Sequence, residues 1–183
     1  LILQWHIKIS RSLNIPLNMK FFFCSLFICF LNVLCAQQRY KADSLLQVLE
    51  HTSGKDRVET LRHLSRAYIG ADKEKSIYYA KESYKEAELL NDETLQVRSL
   101  NNLVVALQNT GEYRQSITYL EKGIIITRKN GNKDQLLDCL SNMATAYAGL
   151  RKTDKALPYA QESITLAEEL KDSVFIINGL EII

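Results

Sequence analysis

Residues 112–127 read EYRQSITYLEKGIIIT, and residues 152–167 read KTDKALPYAQESITLA. Set 40 positions apart, the two strings match at Ser116 and Ala156, Ile117 and Leu157, Tyr119 and Tyr159, Gly123 and Ser163, and Thr127 and Ala167. A further step of 40 back reaches residues 72–87, DKEKSIYYAKESYKEA, with Ser76, Ile77, Tyr79, Ser83 and Ala87 in the same places. A fixed period between about 20 and 50 residues signals an array of stacked supersecondary units.

Upstream of each string lies a second recurring set. Leu61, Leu100 and Leu140 correspond, as do Leu64, Leu103 and Met143, then Ala67, Ala106 and Ala146, then Tyr68, Leu107 and Tyr147. The first spacing here is 39, which predicts a turn after Tyr68 that is one residue shorter. Each period therefore holds two helical patterns. In the middle one, Leu100, Leu103, Val104 and Leu107 recur at three- and four-residue steps. After Asn109-Thr110-Gly111, Ile117, Leu120, Ile124 and Thr127 do the same. One apolar stripe per helix is the mark of a helix that packs on one side. Gly111 closes the first helix of unit two, and Gly149 stands at the corresponding end in unit three. Asn91-Asp92, Asn130-Gly131-Asn132 and Lys171-Asp172 separate successive units. Asn132 with Gln135 has the spacing of a capping box. Small residues (Ala67, Ala106, Ala146; Ser76, Ser116, Ala156) fall where two helices must approach closely, since larger ones would open voids.

The arrangement resembles the tetratricopeptide repeat family. The small residue, tyrosine and small residue of that family's second helix appear as Ser76-Tyr79-Ser83, Ser116-Tyr119-Gly123 and Ala156-Tyr159-Ser163. Gly111-Glu112-Tyr113 followed by Ser116 is close to its inter-helix turn. The family's tryptophan and terminal proline are absent, and the unit is about 40 residues against the usual 34. The resemblance covers about residues 57–183 and implies an all-α, right-handed superhelical solenoid of antiparallel helix hairpins. Its implied units are about 57–92, 93–132, 133–172 and a truncated fourth, 173–183, within an array of 56–183; residues 41–55 form an amphipathic capping helix. The apolar Val174-Phe175-Ile176-Ile177 and Ile182-Ile183, left without a partner helix, predict that the chain is the start of a longer protein.

The 183 residues are 46% hydrophobic and 24% charged, with two prolines and seven glycines, a balance that suits a helix-rich globular chain. The first 36 residues differ from the rest: they hold Lys8, Arg11 and Lys20 and no acid. Without them, 20 basic residues face 21 acidic ones, a net charge of about −1, and no basic face recommends a nucleic-acid partner. Met19-Lys20 followed by an apolar run to Cys35-Ala36 predicts a signal peptide at 19–36, too short for a spanning helix of roughly 20 apolar residues. Cleavage is expected after Ala36, with the bond after Cys35 the nearest alternative; a lipid anchor through Cys35 fits less well because Leu34 is bulky, and the remaining alternative is a short uncleaved anchor. Export to the periplasm follows from that reading. Residues 1–18 lack an initiating methionine and periodicity, and are read as sequence upstream of a start at Met19. Cys139 is then the one cysteine beyond the targeting segment, a small core residue and not half of a disulfide.

No phosphate-cradling loop, nucleophile motif or metal-ligand spacing accompanies the repeats, so no catalytic residue, cofactor or metal is predicted. What the resemblance implies is a binding face on the concave side, lined by the first helix of each unit. That points to Arg62, His63 and Arg66 in unit one, to Arg98, Asn101, Asn102 and Val105 in unit two, and to Asp138, Ser141, Asn142 and Thr145 in unit three. Asn102 and Asn142 lie 40 apart. Each carboxamide is both donor and acceptor and suits holding a peptide backbone; the other reading is that these side chains satisfy groups between helices. Arg62, Arg66 and Arg98 suit an acidic residue or a C-terminal carboxylate, or are simply solvated. The expected function is a non-catalytic scaffold for a protein or peptide ligand. The alternative is the sensory input region of a larger membrane-bound signalling protein, a histidine kinase or transcriptional regulator, extending beyond Ile183. Its basis is a resemblance to the N-terminal extracytoplasmic regions of bacterial signalling proteins with such repeats.

Overall fold

The computed structural model describes residues 41–182. The segments at 1–18 and 19–36, read above as upstream sequence and signal peptide, lie outside the described residues. Helices α1 (41–50), α2 (Gly54–Tyr68), α3 (Lys73–Leu89), α4 (Glu93–Asn109), α5 (Tyr113–Asn130), α6 (Lys133–Gly149), α7 (Thr153–Leu170) and α8 (Ser173–Ile182) follow one another. No strand occurs among the described residues, and the fold is an all-α solenoid of helix hairpins. No described helix is long and apolar enough to cross a membrane.

The turns repeat as regularly as the helices. Asn91, Gly131 and Lys171 take the left-handed conformation, with φ of 53°, 72° and 58°, and each precedes an N-cap residue. Those caps are Asp92, Asn132 and Asp172. Asp92 and Asn132 each accept a hydrogen bond at 3.0 Å, from the Leu95 and Gln135 amides, and Asp172 accepts from Phe175 at 3.3 Å. Each satisfies an amide that the first helical turn leaves without a partner. The Asn132–Gln135 capping box is only half made. The Gln135 side chain turns away and donates to the Thr94 carbonyl at 3.0 Å, tying unit three to unit two.

Within the hairpins, the left-handed positions are Gly70, Gly111 and Arg151, with φ of 80°, 83° and 56°. Arg151, and not Gly149, is thus the counterpart of Gly111. Gly149 is the last residue of α6 and serves packing instead: a Cβ there would lie 2.5 Å from the Tyr113 ring. The one-residue difference near Tyr68 also has a different source from the one expected. Helix α2 stops at Tyr68, whereas α4 runs two residues past its counterpart Leu107. The connection that follows α2 is the longer one, and the helix is what shortens. Similarly α1 ends at residue 50, so Lys55, placed in the capping helix by its sequence, belongs to α2. The α1 end is held by Arg57 of α2, which donates to the Leu49 carbonyl at 3.2 Å.

The core runs along the array. Leu100, Leu103, Val104 and Leu107 are buried, as are Leu120, Ile124, Leu137, Leu140 and Met143. Burying one such side chain contributes roughly 1.5–3 kcal/mol. Tyr68 stacks on Tyr79 at 5.6 Å between ring centres, and Tyr147 on Tyr159 at 5.7 Å. Where Leu107 replaces the first tyrosine, Tyr119 packs edge-on against Tyr84 instead. From α2 onward each helix packs on its neighbours in sequence. The first helices α2, α4, α6 and α8 also touch one another directly, while α3, α5 and α7 make no comparable contacts among themselves. Helices that adjoin on one side and spread on the other define a curved array whose inner side is the α2–α4–α6–α8 face.

Candidate binding groove

Positions on the inner helices recur with the repeat. Glu59, Arg98 and Asp138 share one position; Arg62, Asn101 and Ser141 share the next; His63, Asn102 and Asn142 the next; and Arg66, Val105 and Thr145 the last. The first three rows, with Arg66, Val105 and Ile69 but without Ser141 and Thr145, line one groove of about 660 Å³.

Its α2–α4 end is a network of charges. Arg62 is only 6% exposed, because it folds back along its own helix to donate from Nη1 to Glu59 Oε2. Arg98 brings Nη1 to 2.9 Å from the other oxygen of the same carboxylate. Burial, opposed by Glu59 and reinforced by Arg98 and Arg66, pushes the Arg62 guanidinium below its ordinary pKa. Arg66 donates from Nε to Asn102 Oδ1 at 3.2 Å, and Asn102 Nδ2 is buried without a partner. Asn101 Oδ1 accepts from the Cys139 thiol at 3.3 Å. Burial, with Asp138 close by, pushes that thiol up to about 12, which keeps it protonated and unreactive.

The α6 end is simpler. Asn142 is partly buried in the groove wall, and its backbone carbonyl accepts from Gln108 at 2.8 Å. Asp138 is partly buried, and burial, with Asp134 and Asp172 nearby, raises its carboxyl pKa.

Nine of the eleven residues selected from sequence therefore meet in this groove: Arg62, His63, Arg66, Arg98, Asn101, Asn102, Val105, Asp138 and Asn142. Ser141 and Thr145 do not line it. The Thr145 hydroxyl is turned onto its own helix, donating to the Ser141 carbonyl at 3.0 Å, as a β-hydroxyl on a helix readily does. Arg62 is not the solvated arginine that one reading expected. Asn102 divides its groups: one is spent between helices and the other is buried without a partner. Glu59 was missed by the sequence reading. Its three-residue spacing to Arg62 was a local signal, but its contact with Arg98 spans two units and left none.

Residues 95–169 match the model of the tetratricopeptide repeat family. No curated protein matches the chain. The fold is similar to that of BtubC (BKLC) from P. vanneervenii, 20% identical, with a TM-score of 0.60 over 74% of this chain and 56% of that one. It is also similar to a Rap protein solved in complex with competence and sporulation factor, 17% identical, with a TM-score of 0.71 over 78% of this chain and 41% of that one. A kinesin light chain from Podosopora anserina with nearly identical TPR-like repeats is 16% identical, with a TM-score of 0.62 over 74% of this chain and 70% of that one. The chain spans 56% and 41% of the first two proteins' lengths. At these identities the likeness is one of fold.

Proposed function

Starting from an array that is a tetratricopeptide-type solenoid, we propose that the chain is a non-catalytic scaffold that holds a peptide or an extended protein segment against its inner helices. The observation that carries this reading is the continuous groove across α2, α4 and α6. Its volume, about 660 Å³, lies in the range of about 300–1,000 Å³ usual for ligand sites. Its lining mixes charged, carboxamide and apolar groups, which suits a segment with both a backbone and side chains to satisfy. The complex of a Rap protein with competence and sporulation factor is a precedent for ligand binding on this fold.

A selection from random displayed peptides against the full chain tests the reading. Selected peptides are expected to lose about fivefold or more in affinity on Asn142→Ala and Arg98→Gln, a loss of roughly 1 kcal/mol, with the melting temperature unchanged in Asn142→Ala. Asn102→Ala is expected to lower the melting temperature as well, because Asn102 is buried and bonded to Arg66. Peptides that bind the Asn142 and Arg98 variants as tightly as the parent would place the ligand elsewhere.

A further inference from the structure

The groove differs in charge at its two ends. Along the row Glu59, Arg98, Asp138 the sign alternates, and Arg98 is committed to Glu59 at 2.9 Å. Glu59 is also held by Arg62. At the α2–α4 end, two guanidinium groups thus share one carboxylate and a third, Arg66, lines the same groove, leaving an excess of positive charge. Arg66 is exposed and makes no ion pair among the described residues; its side-chain bond is the one to Asn102. At the α6 end, Asp138 lines the same groove and pairs with no cation among the described residues. The charges nearest to it, Asp134 and Asp172, repel its own.

We propose that the groove selects a bipolar peptide segment, with its acidic group against Arg66 and the outer side of Arg98 and its basic group against Asp138. This rests on the segment-binding reading above and adds to it the sign of the ligand at each end. A segment of one sign satisfies one end and is repelled at the other, so the alternation discriminates as well as attracts. Neighbouring helix axes lie about 8–10 Å apart, and an extended peptide advances about 3.3 Å per residue. The two charges of the ligand are therefore separated by about three residues where its acid meets Arg98 on α4, and by about five to six where it meets Arg66 on α2. Asn101, Asn142 and Val105 are neutral groups of the same lining.

The test is an NMR titration of the full chain, at low salt so that screening does not mask the contacts. The probes are four blocked pentapeptides that share a Ser-Ala-Ser centre. Their ends are Asp and Lys, two Asp, two Lys, or Asn and Gln. The Asp/Lys peptide is expected to bind about tenfold more tightly than each of the others, as one added ionic contact in a partly buried site allows. In Asp138→Lys, the two-Asp peptide is expected to become the tightest of the four. The near-isosteric Asp138→Asn serves as the folding control and is expected to abolish the preference for Asp/Lys over two-Asp. If the neutral or a single-sign peptide shifts the groove resonances as tightly as Asp/Lys does, the polarity is wrong and segment binding stands. If none of the four shifts them, both readings fall.

Discussion

Gly123 has no side chain at the point where Cys139 of the next unit reaches it; a Cβ there would lie 2.9 Å from Sγ. One step earlier in the array the same place holds Ser83 and Ser99, whose hydroxyls hydrogen-bond at 3.0 Å. One step later it holds Ser163 and Gly179, where a Cβ on the glycine would lie 3.6 Å from the serine hydroxyl. The contact between units is made of two small residues each time, though their chemistry changes. Gly123→Ala is therefore expected to destabilise by roughly 1–3 kcal/mol, the usual cost of overpacking. In a Cys139→Ala background the cost is expected to be distinctly smaller, because the atom in the way has gone. Urea melts of the four variants give the coupling between the two positions directly; equal costs in both backgrounds would show that the strain lies elsewhere. The small residue at 83, 123 and 163 was legible in the sequence. Cys139 was read as a small core residue, but the row 99, 139 and 179 was not recognised as a repeat, since serine, cysteine and glycine share size and little else.

Among the elements, the starts of α4, α6 and α8 show how far a repeat can specify structure. Asp92, Asn132 and Asp172 each follow a left-handed residue and cap the next helix, and all three lay in plain view as turn residues 40 apart. Asp92 also accepts from Lys55 at 2.6 Å. The Lys55 ammonium and the Leu95 amide hold its carboxyl below its ordinary pKa. A carboxyl lowered by folding contributes stability above its unfolded pKa and loses it as pH falls through the folded value. Asp92→Ala is accordingly expected to cost about 1 kcal/mol at pH 7, typical of a lost cap. The difference from the parent should shrink as the pH is taken below about 4, the carboxyl's unfolded value. Denaturant melts at pH 7 and pH 3 decide this, and a cost unchanged by acid would assign the effect to side-chain size and not to charge. Another pair shows the repeat preserving a geometry while exchanging its chemistry. Glu93 pairs with Lys129 at 2.7 Å, and 40 residues on Lys133 pairs with Glu169 at 2.7 Å with the signs reversed. Identity matching cannot see such a pair, because both residues change together.

For the whole molecule, stability is spread along a line, each unit resting on its neighbours. Ile177 and Leu180 of α8 are 58% and 60% exposed, whereas their counterparts Leu137 and Leu140 of α6 are 2% and 0% exposed beneath a following helix. Native-state hydrogen exchange is expected to find the slowest amides in α4, α5 and α6 and markedly faster ones in α1 and α8. Uniform protection from end to end would mean that the array unfolds as a single cooperative block. Sequence by itself determined the all-α class, the 40-residue period, the buried stripes and the turns between units. Each of these depends on spacing within a helix or on a backbone conformation that few residues favour, and both are local properties. Tertiary structure decided how equivalent residues are used. Asn102 and Asn142 are the same residue at the same repeat position, yet Asn102 is bonded to Arg66 across the helix interface. The counterpart of Arg66 one unit later is Val105, which has no side-chain group to donate. Asn142 is instead reached through its backbone, by Gln108. A side chain's partner comes from the neighbouring unit, and the repeat keeps shapes constant between units more faithfully than it keeps hydrogen-bonding groups.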